Sequence, residues 1–93
     1  MPDTPEHVFQ IDPITFLISL TLDSSLIAYL HALLEAHDDV GVVKTIDESK
    51  GHICVLSTTD TLADVLELLD NEREYLSWQP AEKPESIESL FEY

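Results

Sequence analysis

Three stretches of the chain carry the hydrophobic pattern of strands, with larger apolar side chains on alternate positions or in short β-branched runs. The first stretch directs its largest side chains to one side: Phe16, Ile18, Leu20 and Leu22. Leu17 is the exception on its other side. The second stretch covers residues 40–46 and the third covers residues 52–57. The pattern therefore predicts a half-buried strand that begins near residue 14 and two further strands in the middle of the chain.

Two segments repeat apolar residues at the three- and four-residue spacing of an amphipathic helix. The first helix is predicted over residues 25–36, directly after the capping side chains of Asp23 and Ser24. The second is predicted over residues 61–74, where the run Thr58-Thr59-Asp60-Thr61 repeats the capping chemistry. Each helix is expected to bury one side and to expose the other.

The linker over residues 47–51 is polar and ends in Gly51, which suits the left-handed position of a hairpin turn. The order strand, helix, hairpin, helix is that of a ferredoxin-like α+β sandwich, in which two helices cover one face of an antiparallel sheet. The second face is expected to dimerise or to receive the C-terminal tail, because exposed apolar faces usually mark contacts. The side chains expected on that face are Leu17, Val43, His52, Cys54 and Leu56.

We divide the chain into a flexible N-terminal arm (residues 1–13), a single α+β domain (residues 14–79) and an acidic C-terminal tail (residues 80–93). The arm holds three prolines and resists a helix. It contains a hint of an edge strand at Val8, Phe9 and Ile11.

The end of the domain leaves two alternatives open. Residues 75–78 form a short fourth strand, which we favour, or they are the end of the second helix with Trp78 folded back onto the core.

Charge narrows the classes of partner. Nineteen acidic and four basic residues give a formal charge of −15. Direct binding to nucleic acid or to an anionic membrane is disfavoured, because both require clustered Lys and Arg. A protein partner with a basic surface is favoured, and the alternatives are solubility or a salt-adapted host. The N-terminus lacks the pattern of a secretory signal, and the single Cys54 suits a reducing compartment, so we expect a cytoplasmic protein.

No pattern predicts catalysis, a cofactor or a metal. The carboxylates of Asp47, Glu48 and Asp60 fall in turns or at a helix start, where acids are routinely structural. Two glycines are too few for a phosphate-binding loop, and there is no Gly-x-Ser-x-Gly elbow. His31 and Glu35 stand four residues apart on the first helix, but a metal site needs three or four converging ligands.

Four short motifs carry a resemblance to a known family. They are Ile27-x-Tyr29-Leu30, Leu34-Glu35-Ala36, Val42-Val43-x-Thr45-x-Asp47 and Leu66-Glu67-Leu68-Leu69. With the element order over residues 15–74, they resemble a family of small bacterial domains known as the domain of unknown function DUF4911. The resemblance implies the same element order and supplies no active residues. The order is also similar to that of ACT-type regulatory modules, which is an analogy of fold.

We therefore predict a non-catalytic interaction or regulatory module that binds a basic protein. The predicted partner-binding residues are Asp64, Glu67, Asp70 and Glu74 on the second helix, Trp78 after it, and Ile87, Leu90, Phe91 and Tyr93 in the tail. The tail is expected either to dock in a groove of a partner or to fold back on its own sheet. The alternatives are an ACT-like sensor of a small ligand and a mimic of nucleic acid that occupies a basic groove.

Overall fold

Five strands and three α-helices form the part of the chain that the structure, a computed structural model, describes: residues 7–37 and 41–84. The elements are β1 (Val8–Asp12), β2 (Thr15–Thr21), α1 (Ile27–Ala36), β3 (Val42–Asp47), β4 (His52–Thr58), α2 (Leu62–Asn71), α3 (Arg73–Leu76) and β5 (Gln79–Pro80). Short 3₁₀ turns precede α1 and join β3 to β4. No helix among these residues is long and apolar enough to cross a membrane.

The five strands form one antiparallel sheet in the order β1-β2-β4-β3. β5 pairs with β2 at Leu20 and Thr21, beyond the part of β2 that pairs with β1. The order β5-β2-β4-β3 is the strand order of a ferredoxin-like fold, and β1 is an addition to it. The predicted α+β class and element order are therefore confirmed.

The sheet begins at Val8, within the stretch for which the sequence suggests an arm. The hint of an edge strand there is confirmed, because β1 lies at the edge of the sheet and pairs with β2. At the C-terminal end, β5 (Gln79–Pro80) extends the sheet into the predicted tail, which begins at residue 80. Residues 85–93 lie outside the described ranges.

One face of the sheet and the inner sides of the helices form a single hydrophobic core. Ile18 and Leu20 of β2 are fully buried in it, as the alternation predicts. From the helices the core takes Leu30, Leu34, Val65 and Leu69. Val43 also belongs to this core, because its partner across the ladder is Val55. Its predicted place on the second face was wrong, because the run of adjacent valines gives no alternation that would fix the phase of β3.

The turn at Asp23 and the β3–β4 hairpin follow the predicted local chemistry, whereas the predicted cap of the second helix was wrong, because the Thr61 side chain makes no capping hydrogen bond to α2. The Asp23 carboxylate accepts a hydrogen bond from the Ser25 backbone N–H at 2.9 Å, and the hydrogen bonds from Ser25 lower the pKa of Asp23. Gly51 has a φ of 65°, and a Cβ at this position would lie 1.7 Å from the Leu22 carbonyl oxygen. The β3–β4 hairpin therefore requires glycine both for its backbone conformation and for its close approach to β2.

The predicted last strand over residues 75–78 was wrong. α2 ends at Asn71, α3 continues as a short helix to Leu76, and the last strand is β5. Ser77 then adopts a left-handed φ of 50° and turns the chain back. The alternative, with Trp78 folded onto the core, is confirmed: its side chain is 4% exposed, and its indole Nε1–H donates to the Leu69 carbonyl at 2.8 Å. The indole thus satisfies one of the free carbonyls at the end of α2.

The second face of the sheet is closed over its centre. Leu17, Ser19 and Cys54 are fully buried there, without belonging to the core under the helices. The backbone N–H of Ala81 donates to the Ser19 carbonyl at 2.9 Å, and the Ser19 hydroxyl donates to the Glu82 carbonyl at 2.7 Å. The chain that follows β5 is therefore fastened to this face. Burial raises the pKa of the Cys54 thiol to about 11.

Replacement of Trp78 by Phe tests the indole cap of α2. We expect Trp78→Phe to lower the free energy of unfolding by about 1 to 3 kcal/mol, because the variant leaves the Leu69 carbonyl without its donor and fills less of the buried space that the indole occupies. Urea denaturation followed by circular dichroism measures the change. Tyr75→Phe, at an exposed tyrosine, is the matched control and should change stability by less than about 0.5 kcal/mol. Equal stability of Trp78→Phe and the parent protein would show that the hydrogen bond contributes nothing.

The Cys54 thiol should not react with a disulfide reagent such as DTNB while the protein is folded. At pH 8 a thiol of pKa about 11 is roughly one thousandth thiolate, and its sulfur is also shielded from the reagent. Absorbance at 412 nm should stay flat for the native protein and rise at once in urea. Rapid labelling of the native protein would contradict the closed second face.

Candidate interaction surfaces

Four carboxylates of α2 and α3 face the solvent. We call Asp64, Glu67, Asp70 and Glu74 the acidic helix surface, and all four side chains are exposed. Their spacing of three and four residues puts those of α2 on one side of that helix, opposite the buried Val65. Sequence reasoning placed this surface in solvent, and the structure exposes it.

The basic residue next to this surface contacts the buried Trp78. Arg73 lies with its guanidinium carbon 4.3 Å from the centroid of the Trp78 ring, which is a cation–π contact. His7 packs against the same indole, with the ring centroids 5.4 Å apart. Burial lowers the pKa of His7, and the positive charge of Arg73 lowers it further. The positive charge of Arg73 is therefore held beside Trp78.

Two tyrosines join the outer sides of the helices. Tyr29 of α1 and Tyr75 of α3 are 38% and 61% exposed, and their ring centroids lie 5.0 Å apart at an interplanar angle of 55°. The Tyr29 hydroxyl donates to Glu72 Oε1 at 3.1 Å, and this hydrogen bond raises the pKa of Tyr29. We call Tyr29 and Tyr75 the tyrosine pair.

Sequence reasoning did not single out the tyrosine pair. The one available signal was that Tyr29 falls off the leucine stripe of the first helix, so its ring had to face outward. Tyr75 was placed in the predicted last strand, which hid its relation to the helices.

The polar group on the second sheet face does not form a nucleophilic site. The Ser19 oxygen lies 2.8 Å from His52 Nε2. Because Ser19 gives its own hydrogen to the Glu82 carbonyl, it accepts from the Nε2–H of His52. A histidine that donates to a serine cannot remove its proton, so this arrangement fastens the chain after β5 and does not activate an oxygen.

A cleft of about 380 Å³ lies where β1 meets the chain that follows β5. Its lining is His7, Phe9, Pro80, Ala81, Glu82 and Lys83. The cleft combines apolar walls with His7, whose pKa is lowered by burial and by Arg73, and with one charge of each sign. It is wide open to solvent, so a ligand here would keep much of its surface in water.

Of the other predicted partner-binding residues, only Trp78 lies in the described part of the chain, and it does not join the acidic helix surface. Trp78 is a core residue in this structure, and its indole N–H already has a partner. Ile87, Leu90, Phe91 and Tyr93 lie outside the described residues. His31 and Glu35 are exposed on α1, and within residues 7–37 and 41–84 no three metal-ligating side chains form a cluster.

Comparison with known proteins gives a family and no closer relative. The family model described as domain of unknown function DUF4911 matches residues 20–74, which begin within β2 and end within α3. No curated protein and no solved structure matches the chain significantly. The matched segment includes α1, the β3–β4 hairpin and α2, and it covers more than half of the 93 residues. The chain therefore belongs to the DUF4911 family.

Proposed function

We propose that this protein is a non-catalytic interaction module, which binds a partner protein with a basic surface through the acidic helix surface. The observation that carries the proposal is the exposure of four carboxylates, three of them on one side of α2 and the fourth on α3. We place the module in the cytoplasm, where the free Cys54 stays reduced.

The row of acids works against the stability of the helix that carries it. Like charges three or four residues apart on a helix repel each other. Asp64 in the first turn of α2 suits the helix dipole, but the last turn carries Asp70 and no basic residue. A negative charge at that end is unfavourable. A basic partner would relieve both effects on binding, which is why we assign this surface to recognition.

The charge would act mainly on the encounter with a partner. A surface of one sign attracts the opposite sign over about a Debye length and speeds association. Exposed ion pairs add little affinity each, so contacts of another kind must supply the rest. A basic groove that normally holds nucleic acid is one such partner surface, and competition between this protein and DNA or RNA would identify it.

A second candidate is a small-ligand sensor, and the cleft beside β1 is the observation that favours it. A ligand that binds the folded protein raises the thermal midpoint by mass action. A thermal-shift screen of amino acids and nucleotides therefore tests this candidate. A midpoint that rises with the concentration of one compound supports it, and a flat response across the screen removes it.

Neutralising the acids should stabilise the protein. The triple variant Glu67→Gln, Asp70→Asn, Glu74→Gln is expected to gain about 1 kcal/mol, or about 5 °C in the thermal midpoint, because it removes repulsion and an unfavourable dipole interaction. The control triple variant Glu35→Gln, Glu48→Gln, Glu82→Gln removes the same charge from exposed acids elsewhere. Glu35 lies in the last turn of α1, but these three acids do not neighbour one another on a helix, so the control should gain less. Calorimetry at low salt compares the two. An equal gain would mean that net charge alone sets the effect.

The same pair of variants tests binding. A fluorescent octa-lysine peptide should bind the parent protein at low salt, and the affinity should fall as salt rises. We expect the acidic-surface triple variant to lose affinity on the order of tenfold, as three exposed ion pairs allow, and the control triple variant to lose much less. Fluorescence anisotropy measures both. Equal losses in the two variants would show diffuse attraction with no defined surface.

A further inference from the structure

We propose that the tyrosine pair is the part of the docking surface that recognises an arginine side chain of the partner, with the guanidinium stacked on Tyr75. This inference rests on the proposed function and goes further, because it names the residue type that the partner presents and the residues that select it. The observations that carry it are the exposure of the two rings, their fixed geometry and the negative charge around them.

Both tyrosine rings are exposed to solvent. Tyr75 leaves 61% of its surface in solvent and Tyr29 leaves 38%. Folding therefore gains little from the Tyr75 ring, whereas a partner that covers it would gain both its apolar area and its polar edge. Tyrosine is among the residue types enriched at the energetic centres of interfaces.

Both tyrosine rings are held in place by contacts within the protein. The Tyr29 hydroxyl is hydrogen-bonded to Glu72, and its ring rests against that of Tyr75. Two elements that are distant in sequence, α1 and α3, thus hold the rings in one arrangement before any partner arrives. A partner that binds fixed side chains loses less conformational entropy on binding than one that must order them.

Geometry decides where the cation sits. With ring centroids 5.0 Å apart and planes tilted by 55°, the two rings contact each other and leave no space for a cation between them. The tyrosine pair is therefore not a cage around a methylated ammonium. A cation can approach only from outside, over the more exposed ring, which is that of Tyr75.

The chemistry of the neighbours favours arginine over lysine. Tyr75 directly follows Glu74, and Glu72 holds Tyr29, so carboxylates flank the rings along the chain. A guanidinium is planar, so it stacks on an aromatic face while its N–H groups pair with a carboxylate, whereas a lysine ammonium is a strongly hydrated point charge. The protein makes one contact of this kind internally, where the guanidinium carbon of Arg73 lies 4.3 Å from the centroid of the Trp78 ring.

Charge also excludes a second copy as the occupant. A symmetric contact through the tyrosine pair would bring two acidic helix surfaces together in a chain of formal charge −15. Like charges across an interface oppose association. A basic segment of another protein meets both the rings and the carboxylates, so we commit to that occupant.

The test compares octa-arginine and octa-lysine peptides on the parent protein and on Tyr75→Ala. Arginine pairs better than lysine with any carboxylate, so tighter binding of octa-arginine does not by itself show a contact with Tyr75. The diagnostic result is a change in the ratio of the two affinities when Tyr75 is replaced. We expect Tyr75→Ala to weaken octa-arginine binding by about threefold, as one exposed cation–π contact allows, and to leave octa-lysine binding nearly unchanged. Tyr75→Phe keeps the ring and should keep the preference. Ile14→Ala, at a hydrophobic side chain that is 64% exposed in the β1–β2 turn, is the control for loss of exposed apolar area.

The outcomes separate the two proposals. If Tyr75→Ala leaves the ratio of the two affinities as in the parent while the acidic-surface triple variant weakens both peptides, the tyrosine inference is overturned and the proposed function stands. If the acidic-surface triple variant also binds the two peptides as tightly as the parent protein does, the tyrosine inference and the proposed function are both overturned. Circular dichroism of each variant confirms the fold, and if Tyr75→Ala is unfolded, the ratio measured on Tyr75→Leu decides instead.

Discussion

Strand β2 is the constraint on which the rest of the structure depends, because it is paired along both edges and buried on both faces. β4 follows its full length on one edge, and β1 and β5 share the other edge end to end. Its central residues, Leu17 to Leu20, have no exposed surface. The other elements are therefore arranged around this strand: α1, α2, the β3–β4 hairpin and the chain after β5.

This central strand is also covered on both of its faces by other parts of the chain. Ile18 and Leu20 hold the helices on one side, and on the other side Ser19 holds the chain at Glu82 through its hydroxyl. Both faces of the sheet are thus occupied at β2, and within the described residues the outer side of the helices is left as a broad charged surface. The acidic helix surface and the tyrosine pair are both exposed on the helices, and we propose that a partner meets the charge of the first and the aromatic rings of the second.

Local sequence patterns predicted the features that depend on neighbouring residues in the chain. The alternation in β2, the cap at Asp23 and the glycine turn at Gly51 depend on neighbours in the chain, and all three were predictable. Other features depend on partners that are distant in sequence. Val43 takes its face from its pairing with Val55, and the tyrosine pair joins residues of α1 and α3 that no periodicity connects. Trp78 adds a contact across a turn, to a carbonyl that is free only because α2 ends at Asn71.

The most direct test of the account is a map of the peptide contact by NMR. A ¹H–¹⁵N correlation spectrum recorded during titration with octa-arginine follows every backbone amide of the folded protein. The account predicts that the shifts that change are those of α2, α3 and the turn of α1 around Tyr29, while the amides of β2 and β4 stay in place. Changes centred on β2, on β4 or on the cleft beside His7 would contradict it.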